Sequence, residues 1–332
     1  MPRKSRIDAP GALHHVICRG IDQRAIFQDD HDRDNFVERL SRIVTDTDTL
    51  CLAWALIPNH FHLLLKTGGE SITTVMRRLL TGYAVSHNRR HNRSGHLFQN
   101  RYKSILCQED IYQLELVRYI HLNPLRAGIV ISLEQLDDYR YCGHSRLMGV
   151  ISDDWQATGE VLKLFGKRLS TSRRRYREFV EKAITIGKRP ELTGGGLVRS
   201  AGGWREIKSM RKSGEHLKSD ERILGDSRFV ENVLQHQAEA FERRYRLKAA
   251  GYDLDKLIEK VCDLIDMKPD QIPLPGKKPK QVRARSLVCY WAVSELGLKG
   301  TAVGQRLGMT QSAVSRAVQR GRAIAVEHKY AL

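Results

Sequence analysis

The first 145 residues alternate between apolar runs typical of strands and runs with helical spacing. Residues 13–19 form a short apolar run that ends at Gly20, and residues 51–66 form a longer one, so both predict strands. Apolar side chains recur at helical intervals over about 32–45, 72–88 and 108–122. This alternation predicts a compact α+β domain in which helices pack on an antiparallel sheet.

The remainder of the chain is predicted to be helical and to contain two further parts. Residues 146–276 form a basic, mainly helical connector that is interrupted by Gly-rich stretches at 194–196 and 202–203. Residues 277–332 contain three runs with helical spacing and form an all-α domain. We therefore predict three domains, over 1–145, 146–276 and 277–332.

Composition narrows the choice of partner. The formal net charge of +18 favours a polyanion, either nucleic acid or an anionic membrane surface. No run approaches the roughly 18 apolar residues of a membrane span, and the first residues lack the apolar core of a signal peptide. We therefore expect a cytoplasmic protein that binds nucleic acid and no membrane. The six cysteines have no Cys-x-x-Cys spacing, which predicts reduced core thiols.

The last 56 residues carry half of the charge surplus. Residues 277–332 contain eleven Lys and Arg against two Glu, a local net charge of +9. A short helix, a Gly-containing turn and a helix that begins after Thr310, a good N-cap residue, predict a helix-turn-helix. A plain helical bundle is the alternative. The side chains that we expect to face the DNA major groove are those of Gln311, Ser312, Ser315 and Arg316.

Two histidines, His60 and His62, are the first candidate for chemistry. They follow Pro58 in a strand rich in apolar residues, with Phe61 between them. Alternation along a strand puts both imidazoles on one face, with Cα atoms about 6–7 Å apart. That separation suits two ligands of one divalent metal ion, whereas a hydrogen-bonded pair at a sheet edge is the simpler alternative.

Tyr119 and Asn123 are the second candidate. Their spacing of four residues at the end of a predicted helix projects both from one face. If this face meets the histidines, the Tyr119 hydroxyl is a nucleophile and the Asn123 amide oxygen is a third metal ligand. Tyr112 is a rival nucleophile, but it has no ligand-type residue one turn later. The general base stays open between His15 and His121.

These residue types suit the cleavage of a phosphodiester. A metal ion polarises a non-bridging phosphate oxygen, and a tyrosine close to the phosphorus forms a covalent intermediate that stores the cleaved bond. A segment that interleaves aromatic and basic residues, including Arg101 and Lys103, suits phosphate contacts and base stacking. Taken alone, that segment is equally compatible with a solvated loop.

Residues 1–145 resemble the REP-associated tyrosine transposases, a branch of the single-tyrosine HUH endonuclease and transposase superfamily. The five matching stretches, in order, are Leu13–Gly20, Ile26–Asp30, Ala53–Leu64, Gly95–Lys103 and Arg118–Gly128. The family's pair of histidine ligands falls on His60 and His62. Its nucleophile falls on Tyr119 and its third ligand position on Asn123.

The resemblance implies a ferredoxin-like sheet and cleavage of single-stranded DNA near a hairpin. It also implies Mg²⁺ or Mn²⁺ as cofactor and a 5′-phosphotyrosine intermediate with a free 3′-OH. The C-terminal segment is similar to helix-turn-helix domains of bacterial initiators and repressors, and this similarity implies that it binds duplex DNA. The resemblance leaves the oligomeric state open.

Three other functions compete with that of a tyrosine-dependent nuclease. A DNA-binding transcriptional regulator would use the C-terminal domain and keep a catalytically silent HUH-like domain. A metal-dependent hydrolase would use activated water and form no covalent adduct. A transposase with a carboxylate triad would need a cluster of acidic residues, for which the sequence gives no support.

Overall fold

The computed structural model describes residues 7, 11–186, 192, 220, 222–226, 228–235, 247, 249–274, 276 and 278–332, with the backbone alone for Asp110. The predicted Gly-rich stretches of the connector lie outside these residues. The chain forms two compact units, Met1–Asn232 and Val233–Leu332. The predicted division into three domains stays a prediction.

The first unit is built on a five-stranded sheet. Its strands are β1 (Leu13–Arg19), β2 (Leu50–Ile57), β3 (His60–Lys66), β4 (Lys103–Cys107) and β5 (Ile223–Leu224). The strand order is β2-β3-β1-β4-β5, and all neighbours are antiparallel except β4 and β5, which pair in parallel. With a helix after β1 and another after β3, the first four strands have the ferredoxin-like order. The predicted α+β class is confirmed.

Helices cover both faces of this sheet. Between the strands lie α1 (Asp30–Asp46) and α2 (Ile72–Arg90), and after β4 come α3 (Glu109–His121) and α4 (Asn123–Arg126). One apolar core joins α1 and α2 to the sheet and contains Phe36, Phe61 and Tyr83, all buried. A second core lies on the opposite face and joins α3 to the sheet through residues such as Leu64 and Ile120.

Four short helices complete the second core. They are α5 (Leu133–Asp138), α6 (His144–Met148), α7 (Thr158–Leu162) and α8 (Leu169–Glu181). Tyr176 of α8 is fully buried and its hydroxyl lies 2.7 Å from both His121 Nδ1 and His144 Nδ1. The helical part of the predicted connector therefore packs against the helix that carries Tyr119.

The prediction of one strand over residues 51–66 was wrong in its extent. The run is a hairpin, in which Pro58 and Asn59 form the turn between β2 and β3. Both strands are almost entirely buried, so their apolar residues read as one continuous run and give no sign of the turn. The predicted strand after Pro58 is present, and it begins at His60.

The local sequence explains where the helices begin. Asp29 caps α1 by accepting a hydrogen bond from the Asp32 backbone N–H at 3.0 Å, and Ser71 caps α2 in the same way from Thr74. Pro124 lies in the first turn of α4, where a proline needs no N–H partner.

The longer elements described in the second unit are all helices. It contains α9 (Leu254–Ile265), α10 (Pro279–Tyr290) with a π-helical turn at Trp291–Glu295, α11 (Gly300–Leu307) and α12 (Gln311–Glu327). Thr310 caps α12, and Gly308 ends α11 with a left-handed φ of 62°. A Cβ at Gly321 would lie 2.0 Å from the Ser286 carbonyl oxygen, so glycine is needed where α12 crosses α10.

Among the described residues, no helix combines the length and apolarity of a membrane span.

Candidate active site

His60 and His62 lie on the face of β3 that packs toward α3. Their ring centroids are 5.2 Å apart, with His62 buried and His60 half-buried. Phe61, between them, points into the core on the opposite face. The alternation expected of a strand therefore brings the two imidazoles together.

Each imidazole is held through its Nδ1 atom. His62 Nδ1 lies 3.0 Å from His15 Nε2, and His60 Nδ1 lies 2.7 Å from the Asn59 side-chain oxygen. A second partner of this kind fixes the orientation and tautomer of a ligating histidine. Both Nε2 atoms are therefore left for a ligand.

Both histidines are neutral at neutral pH. Burial, with the nearby positive charge of Arg19, lowers the pKa of His60 to about 4. Burial, with the neighbouring His15 and His60, lowers the pKa of His62 well below its usual range. Neutral imidazole is the form that binds a metal ion.

Tyr119 faces these histidines from the last turn of α3. Its ring centroid is 5.8 Å from that of His62 and 6.0 Å from that of His15, with edge-on geometry in both pairs. The Arg126 guanidinium lies 5.2 Å above the Tyr119 ring, which adds positive charge beside it. Leu116 and Ile120 anchor the helix in the core, so the ring is held against the sheet.

Asn123 begins α4 and lines the same cavity as Tyr119. Its side-chain Nδ2 is buried and has no hydrogen-bond partner among the described residues. A buried amide without a partner is costly, and a bound ligand in the cavity offers it one. The amide oxygen and two imidazoles are a donor set that fits a divalent cation.

The cavity holding these groups has a volume of about 450 Å³. The predicted residues His60, His62, Tyr119, Asn123, Arg101 and Lys103 all line it. Arg101 and Lys103 are exposed, so their charges face solvent at its mouth. The cavity thus combines neutral imidazoles, an amide, a phenol and a basic rim, a combination that suits a phosphodiester.

Sequence reasoning missed Arg19 and gave His15 no firm role. Arg19 ends β1 directly opposite His60, and it lines the cavity. Strand register decides both positions, and a single sequence carries no direct signal of register. Tyr112 of α3 is buried in the apolar core and does not line the cavity. His121 is fully buried and contacts the Tyr176 hydroxyl.

In the second unit, the predicted DNA-facing side chains lie on one side of α12. Gln311, Ser312 and Arg316 are exposed and Ser315 is half-buried. Val314 and Ala317 are buried in the apolar core of the unit. The exposed face of α12 is therefore polar and basic.

Comparison with known proteins gives a family match within the first unit. Residues 10–123 match the family model described as IS200-like transposase. This segment is therefore similar to IS200-like transposases. The match ends at Asn123, so it covers every strand and helix from β1 to α3 and all of the cavity residues named above. This similarity supports a transposase-like function in DNA processing.

Two solved structures are similar to part of this chain at low identity. One is a REP-associated tyrosine transposase bound to a REP hairpin, with 16% identity over 47% of this chain and 92% of that chain and a TM-score of 0.38. The other is a putative transposase from Deinococcus radiodurans R1, with 20% identity over 36% and 95% of the two chains and a TM-score of 0.26. No curated protein matches the chain.

Proposed function

We propose that the protein is a metal-dependent endonuclease and strand transferase that acts on hairpin-forming single-stranded DNA through a 5′-phosphotyrosine intermediate. The observation that carries this proposal is the shared cavity of His60, His62, Tyr119 and Asn123. The motif resemblance to REP-associated tyrosine transposases supports the hairpin substrate and the polarity of the intermediate.

His60, His62 and Asn123 would hold the metal ion, Mg²⁺ or Mn²⁺. When bound, the ion polarises a non-bridging phosphate oxygen. His15 and Asn59 orient the two imidazoles through hydrogen bonds of 3.0 and 2.7 Å. Arg19, Arg101 and Lys103 line the cavity and attract the phosphodiester backbone.

Tyr119 is the proposed nucleophile. Its hydroxyl oxygen attacks the phosphorus, and the phenol proton passes to a base or to water. The bond from phosphorus to the 3′ oxygen breaks, and that oxygen takes up a proton to leave a free 3′-OH. The new bond from phosphorus to the tyrosine oxygen keeps the 5′ phosphate on the protein. Attack by a 3′-OH reverses the step and rejoins a strand.

A covalent-adduct assay tests the proposal. The full chain is incubated with labelled hairpin DNA and Mg²⁺ or Mn²⁺, and adducts are separated under denaturing conditions. We expect an adduct that chelator prevents and that Tyr119→Phe abolishes. Tyr112→Phe, which removes the same hydroxyl from a buried position of the same helix, is the matched control and should keep the adduct. An adduct with Tyr119→Phe, or no adduct at all, would reject the proposal.

The exposed face of α12 favours a second candidate function, that of a DNA-binding transcriptional regulator whose HUH-like domain is silent. Arg316 and Gln311 are exposed on this helix, as base-reading side chains would be. Arg316→Ala in the full chain should weaken duplex binding by about 1–3 kcal/mol. Arg306→Ala removes an exposed arginine that is paired with Asp255, and it is the control. Specific duplex binding without any DNA adduct would favour the regulator over the nuclease.

A further inference from the structure

A second group of metal-ligating side chains lies between α1 and α2. Asp32 comes from the first turn of α1, and His87 and His91 are four residues apart at the end of α2. One ligand atom from each of the three lies within 4.8 Å of the other two. Residues spaced four apart on a helix share a face, so the two imidazoles converge on the carboxylate.

His87 lacks the hydrogen bonds that a buried imidazole needs. The residue is 2% exposed, and neither ring nitrogen has a hydrogen-bond partner among the described residues. Its Nε2 atom lies 3.8 Å from Asp32 Oδ2, too far for a hydrogen bond. His87 and Asp32 also line a cavity of about 310 Å³. A buried polar ring without a partner, facing a cavity, points to a missing ligand.

We propose that Asp32, His87 and His91 bind one divalent transition-metal ion, with Zn²⁺ as the ion that this ligand set fits. Two imidazoles and one carboxylate, with an open position for water, are a common zinc ligand set. Ligands of a tetrahedral zinc ion lie about 3.3 Å from one another. The distances from Asp32 Oδ2 to His91 Nε2, 2.9 Å, and to His87 Nε2, 3.8 Å, lie on either side of that value.

The surrounding groups hold the carboxylate in the required orientation. Arg90 Nη1 donates to Asp32 Oδ1 at 2.7 Å, and the Gln28 backbone N–H donates to Oδ2 at 2.9 Å. Outer contacts of this kind position ligating carboxylates. The Arg90 charge is offset by Asp29, whose two carboxylate oxygens lie 2.8 and 2.5 Å from the guanidinium. The ion replaces three contacts of His91 Nε2, which lies 3.0 and 2.9 Å from the two Asp32 carboxylate oxygens and 3.2 Å from Arg90 Nη1.

This site is separate from the proposed active site. α1 and α2 pack on the sheet face that carries Phe61, whereas His60 and His62 point to the opposite face. An ion here would join two helices and stabilise the fold. The proposal therefore stands or falls independently of the DNA chemistry.

Metal titration of a variant without the first histidine pair tests the proposal. The full chain carrying His60→Ala and His62→Ala is stripped with chelator and titrated with Co²⁺, followed by its absorption spectrum, and then with Zn²⁺ in competition. We expect one ion per chain and a rise in Tm with Zn²⁺. When His91→Ala is added to this variant, Zn²⁺ affinity should fall by more than roughly 100-fold. Loss of a residue that only orients a ligand typically lowers the affinity by about 10- to 100-fold. It should also remove the rise in Tm.

Two further variants keep the test decisive. His87→Phe keeps a buried ring in place of the imidazole, and we expect a folded chain that binds no ion in this background. His96→Ala removes an exposed histidine elsewhere, and it should change nothing. The proposal is rejected if the chain shows no saturable metal binding, or if the chains with His91→Ala or His87→Phe bind the metal as tightly as the chain without these changes. The three residues would then be only an ion-pair cluster.

Discussion

The two faces of the five-stranded sheet carry different kinds of side chain. The face toward α1 and α2 is filled by apolar and aromatic side chains such as Phe36 and Phe61, whose ring centroids are 4.7 Å apart. The face toward α3 has a similar apolar core but also carries His15 and His62, both buried and in contact with each other. The first face contributes an apolar core, whereas the second contributes an apolar core and also carries the candidate active site.

This difference shows how the site is made rigid. Every second residue of β3 belongs to the aromatic core, so the histidines between them have little freedom to move. Neighbouring positions on one strand should therefore respond to mutation in different ways. Four predictions follow the contrast between the two faces, beginning with the largest effect.

His62→Ala should eliminate most DNA cleavage while the chain stays folded. In the proposed mechanism a metal ion supplies several kcal/mol of transition-state stabilisation, and 1.4 kcal/mol is tenfold in rate, so we expect a loss of about 100-fold or more. The rate of adduct formation and a circular dichroism spectrum measure the two properties. A folded His62→Ala chain that cleaves at the normal rate would show that the metal site is not where we propose it.

Phe61→Ala, at the next position of β3, should mainly lower the stability of the fold. Phe61 is fully buried against Phe36, and removal of a buried phenylalanine costs about 3–5 kcal/mol of unfolding free energy. Denaturant unfolding measures the change, with His62→Ala as the comparison. If His62→Ala destabilises the chain as much as Phe61→Ala does, the assignment of separate tasks to the two faces is wrong.

His15→Phe should weaken metal binding without removing a ligand. It keeps a buried ring but loses the contact with His62 Nδ1, and loss of such a partner typically lowers metal affinity by about 10- to 100-fold. Calorimetric titration with Mn²⁺ measures the affinity. His14→Phe is the matched control, because His14 is as buried as His15 but lies on the other face of β1. Equal losses in the two variants would mean that the change acts through the fold.

Lys103→Ala should have the smallest effect, on DNA affinity alone. Lys103 is exposed on β4 and lines the cavity. Loss of one phosphate contact should reduce the slope of log affinity against log salt by about 0.7 for single-stranded DNA. Binding of hairpin DNA by the Tyr119→Phe chain at several salt concentrations measures the slope. Lys163→Ala, which removes an exposed lysine that directly follows α7 and lies outside the cavity, should leave the slope unchanged.

Local patterns predicted much of this fold. The strand at residues 13–19 and the helices that begin near Asp30 and Ile72 follow from apolar spacing and from the caps at Asp29 and Ser71. The hairpin turn at Pro58 and Asn59 was missed, because a two-residue turn between buried strands barely interrupts an apolar run. The two-residue strand β5 is too short to leave a pattern, and its parallel pairing depends on a partner more than a hundred residues earlier in the chain.

The candidate site was predictable where its residues lie close together in sequence. His60 and His62 share a strand, and Tyr119 and Asn123 lie one turn apart, so local geometry alone pairs them. The pairing of β1 with β3 brings Arg19 to the cavity and His15 to His62, and no local pattern encodes this pairing. For the same reason, the grouping of Asp32 with His87 and His91 appears only when α1 and α2 pack together.

The β1–β3 pairing also limits how this chain can change during evolution. Arg19 lies opposite His60, and Ile17 lies opposite His62. A slip of one residue would turn every side chain of the strand to the other face and exchange the histidines for Phe61 and Leu63. Substitutions can accumulate along these strands, but single-residue insertions and deletions within them cannot. In alignments of relatives, gaps should therefore fall in the loops and leave the lengths of β1 and β3 constant.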